Sequence, residues 1–130
     1  MSWLYVQKTG GLWRDASIFE APFLVAYGYS GYGSGLNNPD MQDVHESGPI
    51  PCGEYTIESP QNTETHGPFV LPLQPNPANE MFNRAGFLIH GDSIHLAGQH
   101  LASHGCIILA RSIREQIWNS QDHILKVRSS

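Results

Sequence analysis

The stretch Ser103-His104-Gly105-Cys106-Ile107-Ile108-Leu109, preceded by Ile89-His90-Gly91-Asp92, decides how this chain is read. The run after the cysteine, Ile107-Ile108-Leu109, has the length and branching of a buried strand. A papain-type peptidase would open a long helix at its cysteine, so the run argues for a β fold around the thiol. Gly86 to His90 is a second short apolar strand, and it delivers His90 at its end. A thiol behind a glycine, with a histidine sixteen residues upstream, has the parts of an activated nucleophile.

Working outward, the rest of the chain also reads as strands and turns. Thirteen Gly and nine Pro in 130 residues cut it into short segments. Trp3 to Gln7 alternates, meets the turn signal Thr9-Gly10-Gly11, and Leu12-Trp13-Arg14 returns as a partner strand. Pro22 to Tyr29 is an apolar run of strand length. The glycine-rich stretch Gly28-Tyr29-Ser30-Gly31-Tyr32-Gly33-Ser34-Gly35 lacks the lysine of a phosphate-binding loop, and its tyrosines suit a groove wall or a surface loop. Gly48 to Gly53 is a rigid turn before the strand Glu54 to Ile57. Pro60 to Gly67 reads as loop. Phe69 to Leu73 reads as a strand that Pro72 demotes to an edge. Gln74 to Asn83 is a long connection with room for one helical turn, and Asp92 to Ala102 is a loop. Ile113 and Ile117, at i and i+4, predict one short helix over 110–119. His123 to Arg128 closes as a last strand. The expectation is one domain over 1–130, mainly β, a sandwich or mixed sheet with one short C-terminal helix.

A net charge of −5 with only seven Lys and Arg makes nucleic-acid or anionic-membrane binding a poor fit. No apolar run approaches the roughly 18 residues of a spanning helix, so no membrane insertion is expected. The N-terminus lacks the basic and apolar regions of a signal peptide, which leaves a cytoplasmic protein, export by another route, or a mature chain.

A free thiol with a pKa of about 8.5 is roughly 3% thiolate at pH 7. Lowering that pKa by about two units raises the fraction to roughly 75%, but the loss of nucleophilicity trims the net gain to about threefold. The histidine's larger contributions are holding the thiol and protonating the leaving amine, help of about 10²–10⁴-fold. His104 and Cys106, at i and i+2, share a strand face, and parallel projection disfavours a linear hydrogen bond between them. His90 arrives from another segment and can approach the sulfur head-on. We therefore expect His90 as acid/base and His104 as a substrate-facing or supporting residue. Gly105 is expected to leave room for substrate, and the Gly105 and Cys106 amides to serve as oxyanion donors. Asp92 or the Gly91 carbonyl is expected to orient His90. His90, His95, His100, His104 and Cys106 also raise a zinc site, but their spacing matches no metal motif, so neither metal nor cofactor is expected. His95 and His100 read as solvated loop residues; His45, His66 and His123 have no partner in view. The two cysteines allow either a tolerated small residue at Cys52 or a Cys52–Cys106 disulfide that holds the enzyme inactive until reduced.

At these residues the chain resembles the L,D-transpeptidase (YkuD-like) catalytic domain, whose signature is a histidine, a spacer, then Ser/Thr-His-Gly-Cys and an apolar residue. Here the match is His90 and Ser103-His104-Gly105-Cys106-Ile107; Ile108 stands where that family often has a polar residue. Gly28-Tyr29-Ser30-Gly31-Tyr32-Gly33, Asn37-Asn38-Pro39, Gly48-Pro49-Ile50-Pro51-Cys52-Gly53-Glu54-Tyr55 and Phe87-Leu88-Ile89-His90-Gly91-Asp92 extend the likeness to the small effectors of that type delivered by type VI secretion. The resemblance implies an L,D-transpeptidase-like β fold, with Cys106, His90, His104, Ser103, Gly105 and Gly91 at the catalytic site. Tyr29, Tyr32, Asp92 and Ile108 are the expected substrate contacts. It implies peptidoglycan stem peptides as substrate, with L,D-carboxypeptidase cleavage of tetrapeptide stems and exchange of the terminal D-alanine. It also implies the type VI secretion apparatus and a cognate immunity protein as partners, and action in a target cell's periplasm. Ile108 tilts the expectation toward trimming and exchange over cross-linking. A non-catalytic module that binds cell-wall peptides is the alternative from another class; a fast thiol reaction with a profile below about 8.5 would distinguish the enzyme.

Overall fold

The computed structural model describes residues 2–15, 20–93, 99 and 102–130. The strands are β1 (Ser2–Val6), β2 (Gly11–Asp15), β3 (Phe23–Tyr27), β4 (Tyr29–Ser30), β5 (Gly53–Ile57), β6 (Gln61–Thr63), β7 (Gly67–Pro75), β8 (Leu88–His90), β9 (Ile107–Ile108) and β10 (Ile124–Arg128). One helix, α1 (Arg111–Asn119), lies between β9 and β10. The order across the sheet is β3-β2-β1-β10-β5-β7-β8-β9-β4, with β6 paired to β7. Two neighbouring pairs are parallel, β1 with β10 and β8 with β9; the others are antiparallel. Among the described residues the architecture is mainly β, with a mixed sheet and a single α-helix.

Local rules explain much of this. In β10, Leu125 and Val127 are buried while Lys126 and Arg128 are exposed, the period of a half-buried strand. β1 and β2 form the hairpin that Thr9-Gly10-Gly11 signals, with Gly10 at φ +74°. In α1, Ile113, Arg114 and Ile117 face inward and an exposed Arg111–Glu115 pair (2.9 Å) closes one turn outside. The core joins both halves of the sheet through Tyr5, Tyr55, Leu71, Ile89, Ile107 and Leu125.

Three expectations change. Pro72 lies within the nine-residue β7, which pairs with β5 and β8 and is no edge strand. Its carbonyl accepts from Glu58 N (2.9 Å), one residue past the end of β5. The return bond that proline cannot make falls where that ladder stops. The 60–67 segment holds the short strand β6. The apolar run 22–29 is broken at Gly28, which passes so near the Ile108 carbonyl that a Cβ would lie 2.1 Å from its oxygen. Tyr29 and Ser30 thereby cross to pair with β9 instead of continuing β3. Within the glycine-rich stretch, Tyr29, Ser30 and Gly31 are buried and form a wall behind the cysteine loop, while Tyr32, Gly33 and Ser34 are exposed as a surface loop.

Candidate active site

The parallel pair β8–β9 sets the geometry. Ile89 lies opposite Ile107 and His90 opposite Ile108. Continuing that register sets Cys106 beside Leu88. Alternate residues share a face, so the fully buried Ile89 and Ile107 point into the core, and His90 and Cys106 fall on the other face as diagonal neighbours. Such neighbours have Cα atoms about 8 Å apart, a separation long side chains can bridge. No hydrogen bond joins Cys106 to a histidine among the described residues; its Sγ lies 4.0 Å from the Gly86 carbonyl.

Ser103 builds the cysteine loop. Its buried hydroxyl accepts from Gly31 N (3.0 Å) and Gly105 N (3.1 Å) and donates to the Cys106 carbonyl (2.5 Å). Ser30 does the same from the other side, donating to the Gly105 carbonyl (2.8 Å) and accepting from Ile50 N (2.8 Å). The Gly105 amide is therefore committed to Ser103 and is no oxyanion donor in this arrangement. Gly105 lines the Cys106 cleft, but the side that a Cβ would take is already filled. At φ +138°, a Cβ on it would lie 2.5 Å from Arg84 Nη2 and 2.8 Å from the Phe87 ring. Glycine is needed there because a guanidinium is behind it.

That Arg84, 7% exposed, was not read from the sequence. Its Nη1 donates to the Gln42 and Pro49 carbonyls (both 2.7 Å), its Nη2 to those of Gly48 (2.9 Å) and His104 (3.3 Å). One cation ties the segment 42–49 to the cysteine loop. Burial nevertheless dominates at the thiol: it pushes Cys106 above the ordinary thiol value, against the lowering effects of the Leu88 backbone and Arg84.

His90 is 4% exposed. Its Nδ1 lies 2.8 Å from the Gly91 carbonyl, which only accepts, so Nδ1 carries the proton and Nε2 holds the lone pair. Gly91, not Asp92, thus orients the ring; one Asp92 oxygen takes the Tyr29 hydroxyl (2.7 Å) and Ser93 N (2.9 Å). Burial lowers the imidazole to about 4, opposed by the Gly91 bond and assisted by His66 and Arg114. His66 packs on the His90 ring at 4.7 Å between centroids, a contact with no signal in the sequence. With the imidazole lowered to about 4 and the thiol raised above its ordinary value by burial, a resting thiolate–imidazolium pair is disfavoured. The resting state is neutral thiol and neutral imidazole.

Two clefts flank these groups. Cys106, His104, His45 and Arg84 line one of about 280 Å³. His104 stacks on Tyr32 (5.5 Å) and its Nδ1 meets the Glu46 carbonyl (3.0 Å). His90, Asp92, His66 and Arg114 line another of about 600 Å³. Tyr29, Asp92 and Ile108 share a third of about 340 Å³; Tyr32 lies apart, with His104. His45 meets the Phe82 carbonyl (2.8 Å), and His123 stacks on Trp118 (4.3 Å). Cys52 and Cys106 are separate free thiols, and Cys52 donates to Gln7 Oε1 (3.3 Å). Among the described residues no three His, Cys, Asp or Glu side chains form a metal-holding group; His95 and His100 lie outside those residues. No helix among them is long and apolar enough to cross a membrane.

A family model described as Tlde1 domain matches residues 25–129, well over half of the chain. The match supports the effector branch of the resemblance and not specifically the YkuD-like transpeptidase. No curated protein matches the chain significantly. No solved structure does either.

Proposed function

The chain belongs to the Tlde1 domain family, a family of type VI secretion effectors, and from that premise we propose that it is a cell-wall-modifying cysteine enzyme. Its reaction is L,D-carboxypeptidase cleavage of tetrapeptide stems, with exchange of the terminal D-alanine for another D-amino acid. The observation that supports this reading is the parallel β8–β9 pairing, in which the strand ending at His90 runs beside the strand that follows Cys106, with the His90 Nδ1 engaged by the Gly91 carbonyl and Nε2 left to take a proton.

As a substrate carbonyl arrives, the Cys106 proton passes to His90 Nε2 and the sulfur attacks. Because burial disfavours the separated ion pair at both groups, proton transfer and attack are coupled. His90 then gives that proton to the departing D-alanine amine, the C–N bond breaks, and a thioester remains on Cys106. Water or the amine of a D-amino acid attacks the thioester. His90 takes the proton from this nucleophile and returns it to the leaving sulfur. Ser103 and Arg84 hold the loop, and His104 with Tyr32 lies on the substrate side. A secretion apparatus that delivers the chain, a cognate immunity protein and action in the target periplasm belong to the same reading.

Incubation with tetrapeptide muropeptides followed by mass spectrometry tests it. Wild type is expected to release tripeptide and, with added D-amino acid, exchanged tetrapeptide, while Cys106→Ala is slower by at least about 10³-fold. No product from wild type would leave a binding module as the better reading, and equal product from Cys106→Ala would overturn the cysteine nucleophile.

A further inference from the structure

The reading above uses one cleft for the nucleophile and leaves the larger cleft beside His90 unexplained. Its floor is Arg114, 4% exposed, on α1. Nη1 donates to the Pro68 (2.8 Å) and Phe69 (2.9 Å) carbonyls. Nε is buried with no hydrogen-bond partner among the described residues. Nη2 makes no hydrogen bond among the described residues and lies against Gly91, where a Cβ would stand 3.0 Å away. Nε and Nη2 form the edge of a guanidinium that presents two parallel donors to a carboxylate. A buried cation with that edge unpaired is costly, and a ligand carboxylate relieves the cost.

The same cleft carries Glu64 and Asp92, carboxylates that suit an ammonium, and His90 stands on its wall with Nε2 able to take a proton. A carboxylate receptor, acidic groups and a base in one cleft of about 600 Å³ fit a free amino acid, which carries both charges. We propose that this cleft holds the departing and incoming amino acid of the exchange reaction, with Arg114 binding its α-carboxylate. The acyl part of the stem then lies in the Cys106 cleft, and the amine meets the thioester across the β8–β9 ladder. This inference rests on Cys106 forming a thioester. The ammonium proton of the incoming amino acid goes to solvent; as the free amine attacks the thioester carbon, His90 takes a second N–H proton and passes it to the departing Cys106 sulfur, leaving a neutral amide and a thiol.

The test compares two acceptors in wild type, D-alanine and D-alaninamide, which share the amine and differ in the carboxylate. The amide's amine is the less protonated near neutrality, so chemistry without Arg114 favours the amide. Wild type is expected to prefer D-alanine by at least about tenfold in acceptor kcat/KM, the scale of a charge-assisted pair. Arg114→Gln is expected to erase that preference and Arg114→Lys to keep part of it. The preference is a ratio within one protein, so loss of folded material cancels. Equal use of both acceptors by wild type, or full preference in Arg114→Gln, overturns the Arg114 assignment while tripeptide release still supports the thioester. Absence of any tripeptide from wild type overturns both.

Discussion

Two buried arginines stand beside the two reacting groups, and they are held differently. Arg84, behind the cysteine loop, gives both terminal nitrogens to four carbonyls. Arg114, behind His90, gives one nitrogen to two carbonyls and leaves an edge unpaired. Neither forms an ion pair among the described residues, and each is admitted by a glycine next to the chemistry, Gly105 for Arg84 and Gly91 for Arg114. The contrast separates a cation that organises backbone from one that keeps donors in reserve. Burial alone would not have told them apart.

The largest effect should come from breaking the saturated arginine. Arg84→Met leaves four carbonyls without their donor and is expected to destabilise the fold by about 3–5 kcal/mol in denaturant unfolding. Arg114→Gln should fall well short of that, since it removes two bonds and relieves an unpaired edge. Equal losses would erase the distinction.

The His90 side can be sharpened by pH. Its imidazole falls from an ordinary 6.5 to about 4 on folding, so the unfolded chain binds the proton more readily between those values. The stabilisation is complete above about pH 6.5 and is lost as pH falls toward 4, by about 3 kcal/mol in total. Unfolding of wild type and His90→Gln across that window should show the slope in wild type and its flattening in the variant.

The smallest effect lies on the Cys106 side. The alkylation profile of Cys106 should have its midpoint above the ordinary thiol range, because burial outweighs Arg84. This reverses the profile the sequence suggested, in which a reactive thiol titrates below about 8.5. A midpoint below that value would mean that the cation dominates and the resting pair is ionic.

Much of the fold was legible. The β1–β2 hairpin, β5, β8, β9, α1 and β10 follow from alternation, turn residues and one i, i+4 pair, all local signals. Pro72 and the 60–67 segment were misread because strand neighbours, not the strand's own residues, decide whether a missing N–H matters. At the site, His90 and Cys106 were legible because the motif states them. Arg84, Arg114 and His66 were not: their contacts reach 20 to 46 residues along the chain for the arginines, and no spacing rule encodes such encounters.

The sequence by itself determined a β-rich chain with a thiol behind Ser-His-Gly and a histidine ending a short strand, since these depend on neighbours within a few residues. Only the tertiary structure decided that Gly91 sets the His90 tautomer, that Ser103 takes the Gly105 amide, and that both reacting groups rest neutral. Those outcomes depend on burial and on which distant carbonyls and cations surround a group, and both arise only when the β4, β8 and β9 segments pack together.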